Sequence, residues 1–342
     1  MKRLLVLLCC LILISARYAQ EYVFSVPVSW PKPYYDLKQV NFTDEKILLG
    51  RALFYDPILS RNNTISCASC HSQYTAFTHV DHALSHGIDD RIGTRNSPAL
   101  MNLAWQPLLM WDGAVNHIDV QALAPIHNTL EMDESITKVV RKLQANRLYP
   151  QQFYKAFGDS LITGEHTLKA IAQYMLTLVS CNAKYDSVMR KQSVFTVQEQ
   201  NGYRLFKQYC ASCHTEPLFT SNQFKNNGLA VDTTLNDSGR YTVTKRKEDL
   251  YTFKVPTLRN IEFSYPYMHD GRFKRLSEVL KYYTMDIRQS PTLAKELRHP
   301  VVLTPNEKVD MVAFLLTLTD RSFLFNPDYS YPRDFFSGKT RD

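Results

Sequence analysis

The sequence predicts a mainly α protein in two halves, each organised around one copy of the pentapeptide Cys-Ala-Ser-Cys-His. Three observations lead there. Segments with apolar residues at helical spacing recur along the chain, whereas alternating strand patterns are few. The pentapeptide occurs twice, and its first cysteines, Cys67 and Cys210, stand 143 residues apart, as an old internal duplication would leave them. A length of 342 residues suits two domains, each large enough for its own core. The composition is that of a globular protein, 44% hydrophobic and 21% charged, without a low-complexity tract. The net charge of +7 leans weakly towards anionic partners, but the basic residues are scattered rather than blocked. No nucleic-acid-binding motif occurs, which sets that class aside.

Residues 1–19 read as a secretory signal, with Lys2 and Arg3 as its charged start and Leu4 to Ile14 as an apolar stretch too short to span a bilayer. Cleavage is expected after Ala16 or Ala19. Cys9 and Cys10 raise a lipoprotein alternative, which the large residues before them disfavour. No other segment is long and apolar enough to cross a membrane, so the mature protein is expected to be soluble and periplasmic.

The chain from Gln20 to Asn41 is rich in proline and aromatics and reads as an extended arm. Thr43 can cap a helix carrying Ile47, Leu48, Ala52 and Leu53, which must stop before Pro57. The first pentapeptide follows. After it comes a loop-rich stretch whose glycines and prolines suggest backbone wrapped around a bound group. Helices resume over 135–148 and 165–180, the latter with Leu168, Ile171, Ala172, Met175, Leu178 and Val179 on one face. Cys181 reads as a small buried residue rather than a reactive thiol. The domains are expected over 20–190 and 191–327. Thr196 and Glu199 form a capping box that opens a helix into the second pentapeptide. Residues 217–250 are polar and turn-rich, with at most short strands. A closing helix starts at the capping box Thr304 and Glu307, and its face of Val309, Val312, Ala313 and Leu316 is expected to be buried. The tail, 328–342, is expected to lie on the surface.

Cys-x-x-Cys-His is the attachment signature of c-type haem. On one helical turn the sulfurs at i and i+3 can each bond a haem vinyl group, and the histidine at i+4 lies on the same face and can ligate the iron. Cys67, Cys70 and His71 would hold one haem, and Cys210, Cys213 and His214 the other. Zinc half-sites and redox dithiols also use Cys-x-x-Cys. A four-cysteine zinc site, however, needs no histidine after each pair.

Further segments sharpen this reading: Leu84-Ser85-His86-Gly87, Arg95-Asn96-Ser97-Pro98, Trp111-Asp112-Gly113, Leu130-Glu131-Met132, Val255-Pro256-Thr257-Leu258-Arg259-Asn260 and Tyr267-Met268-His269-Asp270-Gly271. With the paired pentapeptides, they make residues 42–325 resemble the bacterial di-haem cytochrome c peroxidases, including relatives that oxidise a tryptophan on a partner protein. The resemblance implies two cytochrome-c-like domains with haems facing a shared interface. The His71 haem would be peroxidatic, and the His214 haem would collect electrons.

The resemblance also implies roles. Glu131 would be the acid–base carboxylate, Gln121 its polar neighbour, and His86 a removable distal ligand, with His79 and His82 as rivals and Gly87 helping the loop to move. Trp111 would pass electrons between haems, where a core aromatic is the plainer reading. His269 would stand beside a haem propionate. Asn96, Ser264 and Pro266 would hold one calcium ion through oxygen atoms, as that ion prefers. The sequence departs from the best-known peroxidases at the sixth ligand of the second haem, where Tyr283 replaces methionine and Met285 stands two residues on. A phenolate would stabilise ferric iron; a thioether would raise the potential.

The expected function is therefore periplasmic reduction of hydrogen peroxide to water, with electrons from a small redox protein of cytochrome c or cupredoxin type. Two alternatives remain: oxidation of a partner protein's side chains, which would go with Tyr283, and a plain di-haem electron carrier. A homodimer is an open option.

Overall fold

The computed structural model describes residues 22–337, so the expected signal segment lies outside the described residues. The chain is helical with little sheet: the described strands are β1 (Phe224–Lys225) and β2 (Phe253–Lys254), a two-residue antiparallel pair.

The first half is built on four helices, α1 (Asp44–Tyr55), α2 (Ile136–Ala145), α3 (Tyr149–Phe157) and α4 (Gly164–Thr177). Thr43 caps α1 by accepting a hydrogen bond from the Lys46 amide at 3.2 Å, and the helix ends at the residue before Asp56-Pro57. From Ala170 to Thr177 every residue of α4 is buried, because α1 and the loops close over both sides. In the second half α5 (Val197–Tyr209), α6 (Leu276–Met285) and α7 (Pro305–Leu316) enclose a smaller core around Phe206, Phe219 and Phe314. Both expected capping boxes form, Thr196 with Glu199 and Thr304 with Glu307.

The two halves repeat one device. At Gly50 of α1 an added Cβ would fall 1.8 Å from the Ala170 carbonyl oxygen of α4, and at Gly202 of α5 it would fall 2.0 Å from that of Asp310 on α7. In each half a glycine thus lets the helix before the pentapeptide press backbone to backbone against its long partner. That contact positions the turn that follows.

The buried face of α7 differs from the expected one. Val309 is 56% exposed and Leu316 41%, while Met311, Phe314 and Leu315 are buried. The close crossing at Gly202 sets the rotation of α7, turning Phe314 into the aromatic cluster with Phe206 at 5.1 Å. The described part of the tail lies over the surface of the first half and is anchored there: the Tyr55 and Tyr174 hydroxyls donate to the Tyr329 carbonyl at 2.8 and 2.7 Å and Phe335 is buried.

The N-terminal arm bridges the halves. Trp105 Nε1 donates to the Pro31 carbonyl at 2.7 Å, Trp30 packs edge-on against Trp105, and the Arg259 guanidinium of the second half lies 4.7 Å from the Trp30 ring centre. Arg259 is itself held by a buried bidentate pair with Asp186, at 2.8 and 2.9 Å. A second bridge runs through Arg95, which pairs with Asp112 of its own half and Asp237 of the other, both at 2.6 Å.

Candidate functional site

The pentapeptides adopt matching turns. In each the histidine amide donates to the carbonyl of the first cysteine at 2.9 Å, the i to i+4 bond that lines up both sulfurs and the imidazole. Each histidine then donates from Nδ1 to backbone carbonyls: His71 to Phe77 at 2.8 Å, His214 to Pro256 at 3.1 Å and Phe219 at 3.2 Å. A carbonyl oxygen only accepts, so Nδ1 carries the proton and the Nε2 lone pair is left for a metal. Burial pushes both imidazoles down to about 4, which keeps them neutral and ligand-competent.

The cysteines are unpaired, and burial pushes the Cys67 and Cys210 thiols up to about 12 and Cys70 up to about 11. A redox dithiol needs a lowered thiol pKa, so that reading loses its support. Among the described residues no three His, Cys, Asp or Glu side chains gather to hold a metal ion.

Each turn opens onto a large cavity. The first is lined by Cys70 and His71 and by Gln121, Asn128, Leu130 and Glu131. The second is lined by Cys210, Cys213 and His214, with Tyr283 and an aliphatic wall including Leu280 and Leu315. The space, the apolar walls and the neutral imidazole suit one haem in each. The residue set fits the group.

The cavities differ in proton chemistry. In the first, burial raises the Glu131 carboxyl above the ordinary carboxylate range, opposed by Asn128 Nδ2, which donates to Oε1 at 2.7 Å. Gln121 Nε2 donates to the Met110 sulfur at 3.0 Å, and its Oε1 is buried with no partner in the protein. Gln121 and Glu131 line the same cavity, so an unpaired carbonyl oxygen and a raised carboxyl share it. In the second cavity the carboxylate, Glu296, is tied through Oε1 to Lys225 at 3.0 Å, its carboxyl is held below the ordinary value, and only its Oε2 lacks a protein partner, so no raised carboxyl and free amide oxygen meet there.

Comparison with known proteins agrees with this geometry. A family model for di-haem cytochrome c peroxidase matches residues 44–194. The chain is 35% identical over 305 residues to the methylamine utilization protein MauG of Methylorubrum extorquens, spanning 86% of this chain and 83% of that one. The chain belongs to the di-haem cytochrome c peroxidase family. It is also 34% identical over 290 residues to cytochrome c551 peroxidase of Nitrosomonas europaea, 83% of this chain and 81% of the relative. A solved MauG-like protein associated with microbial copper homeostasis superposes with a TM-score of 0.79 at 29% identity, covering 91% of this chain and 99% of that one. The protein is a haem oxidoreductase acting on peroxide.

Within this di-haem peroxidase fold the remaining site residues fall as follows. Trp111 lines both cavities, and its Nε1 donates to the Asn96 carbonyl at 2.8 Å. His269 lines the second cavity, stacked on Phe253 at 3.7 Å. Asn96, Ser264 and Pro266 together line a third cavity between the halves.

Of the two expected sixth ligands, Tyr283 faces the second cavity, whereas Met285 is 72% exposed and outside it. Two residues further along α6 the side chain has turned about 200°, away from the haem side.

His86 is not in the lining of the first cavity. Its ring stacks on His82 at 3.9 Å, and His79 packs against His82 in turn. Gly87 is not a hinge by conformation either, since its backbone is extended (φ −115°). Its need is clearance: an added Cβ would fall 2.1 Å from the Leu130 oxygen and 2.5 Å from Glu131 Cα. The loop thereby docks on the Glu131 backbone, with the Ile88 amide donating to the Glu131 carbonyl at 2.7 Å.

Asn128, Met110 and Lys254 went unassigned in the sequence. The Asn128-x-x-Glu131 spacing was a readable sign, because Asn128 also accepts from the Leu130 amide and fixes the turn. Nothing local marks Met110 or Lys254.

Proposed function

We propose that this protein carries one haem c on Cys67, Cys70 and His71 and another on Cys210, Cys213 and His214, and reduces hydrogen peroxide to water at the first. The observation that carries the reading is the asymmetry of the cavities: only the His71 cavity joins a desolvated carboxyl, Glu131, to an unpartnered amide oxygen, Gln121 Oε1.

A haem on His71 supplies the iron at which peroxide binds and the route by which electrons reach it. The protein's share is proton handling and orientation. Glu131 would be the group that moves a proton between the two oxygens of a peroxide held there, so that the leaving oxygen departs as water. Gln121 Oε1 accepts the hydrogen bond of the entering hydroxyl, and the tie of Nε2 to Met110 keeps that oxygen turned inward. Trp111, common to both cavities, would be the short path for electrons from the His214 side, and His269 would stand beside a propionate of a haem held there. His86 is stacked on His82, and it would have to leave that stack to serve as a ligand to a haem held on His71. Asn96 Oδ1 with the carbonyls of Ser264 and Pro266 offers calcium the neutral oxygens it accepts, in the cavity between the halves. The setting we assign is the periplasm, with a cytochrome c or cupredoxin-type donor; among the described residues no helix is long and apolar enough to cross a membrane.

One observation favours a second reading. Tyr283 faces the second cavity, and a phenolate ligand there lowers the potential of that haem, making it a poor acceptor from an ordinary cytochrome c. Oxidising equivalents shared across Trp111 would then be spent on a side chain of a partner protein. Peroxide turnover by the holoprotein, with and without a reduced cytochrome c, separates the readings. Two electrons drawn from the donor per peroxide supports the peroxidase. A long-lived oxidised state indifferent to the donor supports partner oxidation, and inertness to peroxide refutes both. In the same preparation Tyr283→Phe should change the spectrum of the second haem and Met285→Leu should not.

A further inference from the structure

Among the cations that line the three cavities, Lys254 alone is not spent on a protein carboxylate. Lys225 is paired with Glu296, and Arg95 with Asp112 and Asp237. Lys254 Nζ donates only to neutral oxygens, Gln106 Oε1 at 2.7 Å and the Leu108 carbonyl at 3.1 Å. The carboxylate that acts on it from further off, Asp112, is already engaged by Arg95. Burial pushes the amine down to about 8, the direction expected of a desolvated cation without a close counter-ion.

Its place is equally particular. Lys254 and Trp111 both line the His71 cavity, the His214 cavity and the cavity between the halves. Their backbones are joined as well, the Lys254 amide donating to the Trp111 carbonyl at 2.7 Å. The amine is therefore fixed at the point where the two haem cavities meet, beside the electron path.

We propose that Lys254 is a cation shared by both haem cavities, its ammonium serving as counter-charge for a haem propionate and raising the reduction potential of both haems together. This rests on the reading that one haem occupies each cavity. An ammonium bound only to neutral acceptors gains most from an ionised one, and the propionates are the carboxylates the cofactor brings. A positive charge near two redox centres favours the reduced, more electron-rich form of each. Lys254 touches neither iron ligand turn by hydrogen bond, so it is a positioning residue and its signature is a potential rather than a rate.

The test is spectroelectrochemical titration of holoprotein in four forms: wild type, Lys254→Met, Lys254→Gln and Lys254→Arg, with haem per chain measured in each. The glutamine variant keeps a hydrogen-bonding stem should the methionine variant fold poorly. Two haems per chain with both midpoint potentials shifted downward in the uncharged variants, and restored towards wild type in Lys254→Arg, is the expected result. Two haems per chain with neither midpoint moved, or only one, overturns the shared cation while leaving the two-haem reading intact. Fewer than two haems in wild type overturns that reading and the proposal with it.

Discussion

Replacing Glu131 by glutamine isolates proton transfer from everything else this carboxyl does. The amide has nearly the same size, and its oxygen can still accept the hydrogen bond that Asn128 Nδ2 now gives to Oε1 at 2.7 Å, so the turn should hold. What is lost is the base. General acid–base groups contribute about 10²- to 10⁴-fold, so the barrier should rise by about 2.7 to 5.5 kcal/mol. Burial raises the Glu131 carboxyl, so in wild type the base is protonated, and turnover lost, as pH falls through a value above the ordinary carboxylate range. The stability effect has the opposite sense. A folded pKa above the unfolded one means that this group's contribution is full below the unfolded value and is lost as pH rises through the folded value. Glu131→Gln should therefore melt no lower than wild type at neutral pH. Peroxide turnover against pH, with thermal melts of both proteins, checks this. A variant within tenfold of wild type, or one that melts well below it, refutes the proton-transfer role.

Other perturbations reach the scaffold. Phe314→Ala removes a fully buried ring from the second core and should cost about 3 to 5 kcal/mol by denaturant titration. Gly87→Ala forces a Cβ into the Leu130–Glu131 backbone; kcat should fall while the melting point drops only modestly, since the contact is local to the site. Asp186→Ala leaves the buried Arg259 guanidinium unpaired and should destabilise by about 3 to 5 kcal/mol, measured the same way.

What was legible in the sequence was local. Capping boxes at Thr196 and Thr304 are decided within four residues, and both form. The pentapeptide turns are likewise set by spacing, and they deliver His71 and His214 with their Nδ1 protons tied down. The rotation of α7 was not legible, because Val309 and Met311 are both good apolar candidates and only the crossing at Gly202 chooses between them. The anchors of the tail were not legible for the same reason: Tyr55 and Tyr174 stand more than 150 residues away in sequence. At the site, Glu131 and Gln121 were named through resemblance and the fold gathers them around one cavity. Lys254 acquires its place only where two loops and a short strand bring three cavities together, which no window of sequence encodes.

The arrangement proposed would leave a haem on His71 with an open side towards Glu131 and Gln121, and would put Tyr283 on the other haem as its ligand. Electron paramagnetic resonance of the fully oxidised holoprotein, before and after one equivalent of peroxide, tests it most directly. The account predicts one high-spin ferric haem that disappears on adding peroxide, beside one low-spin haem whose spectrum Tyr283→Phe alters. Two low-spin haems that ignore peroxide would contradict it.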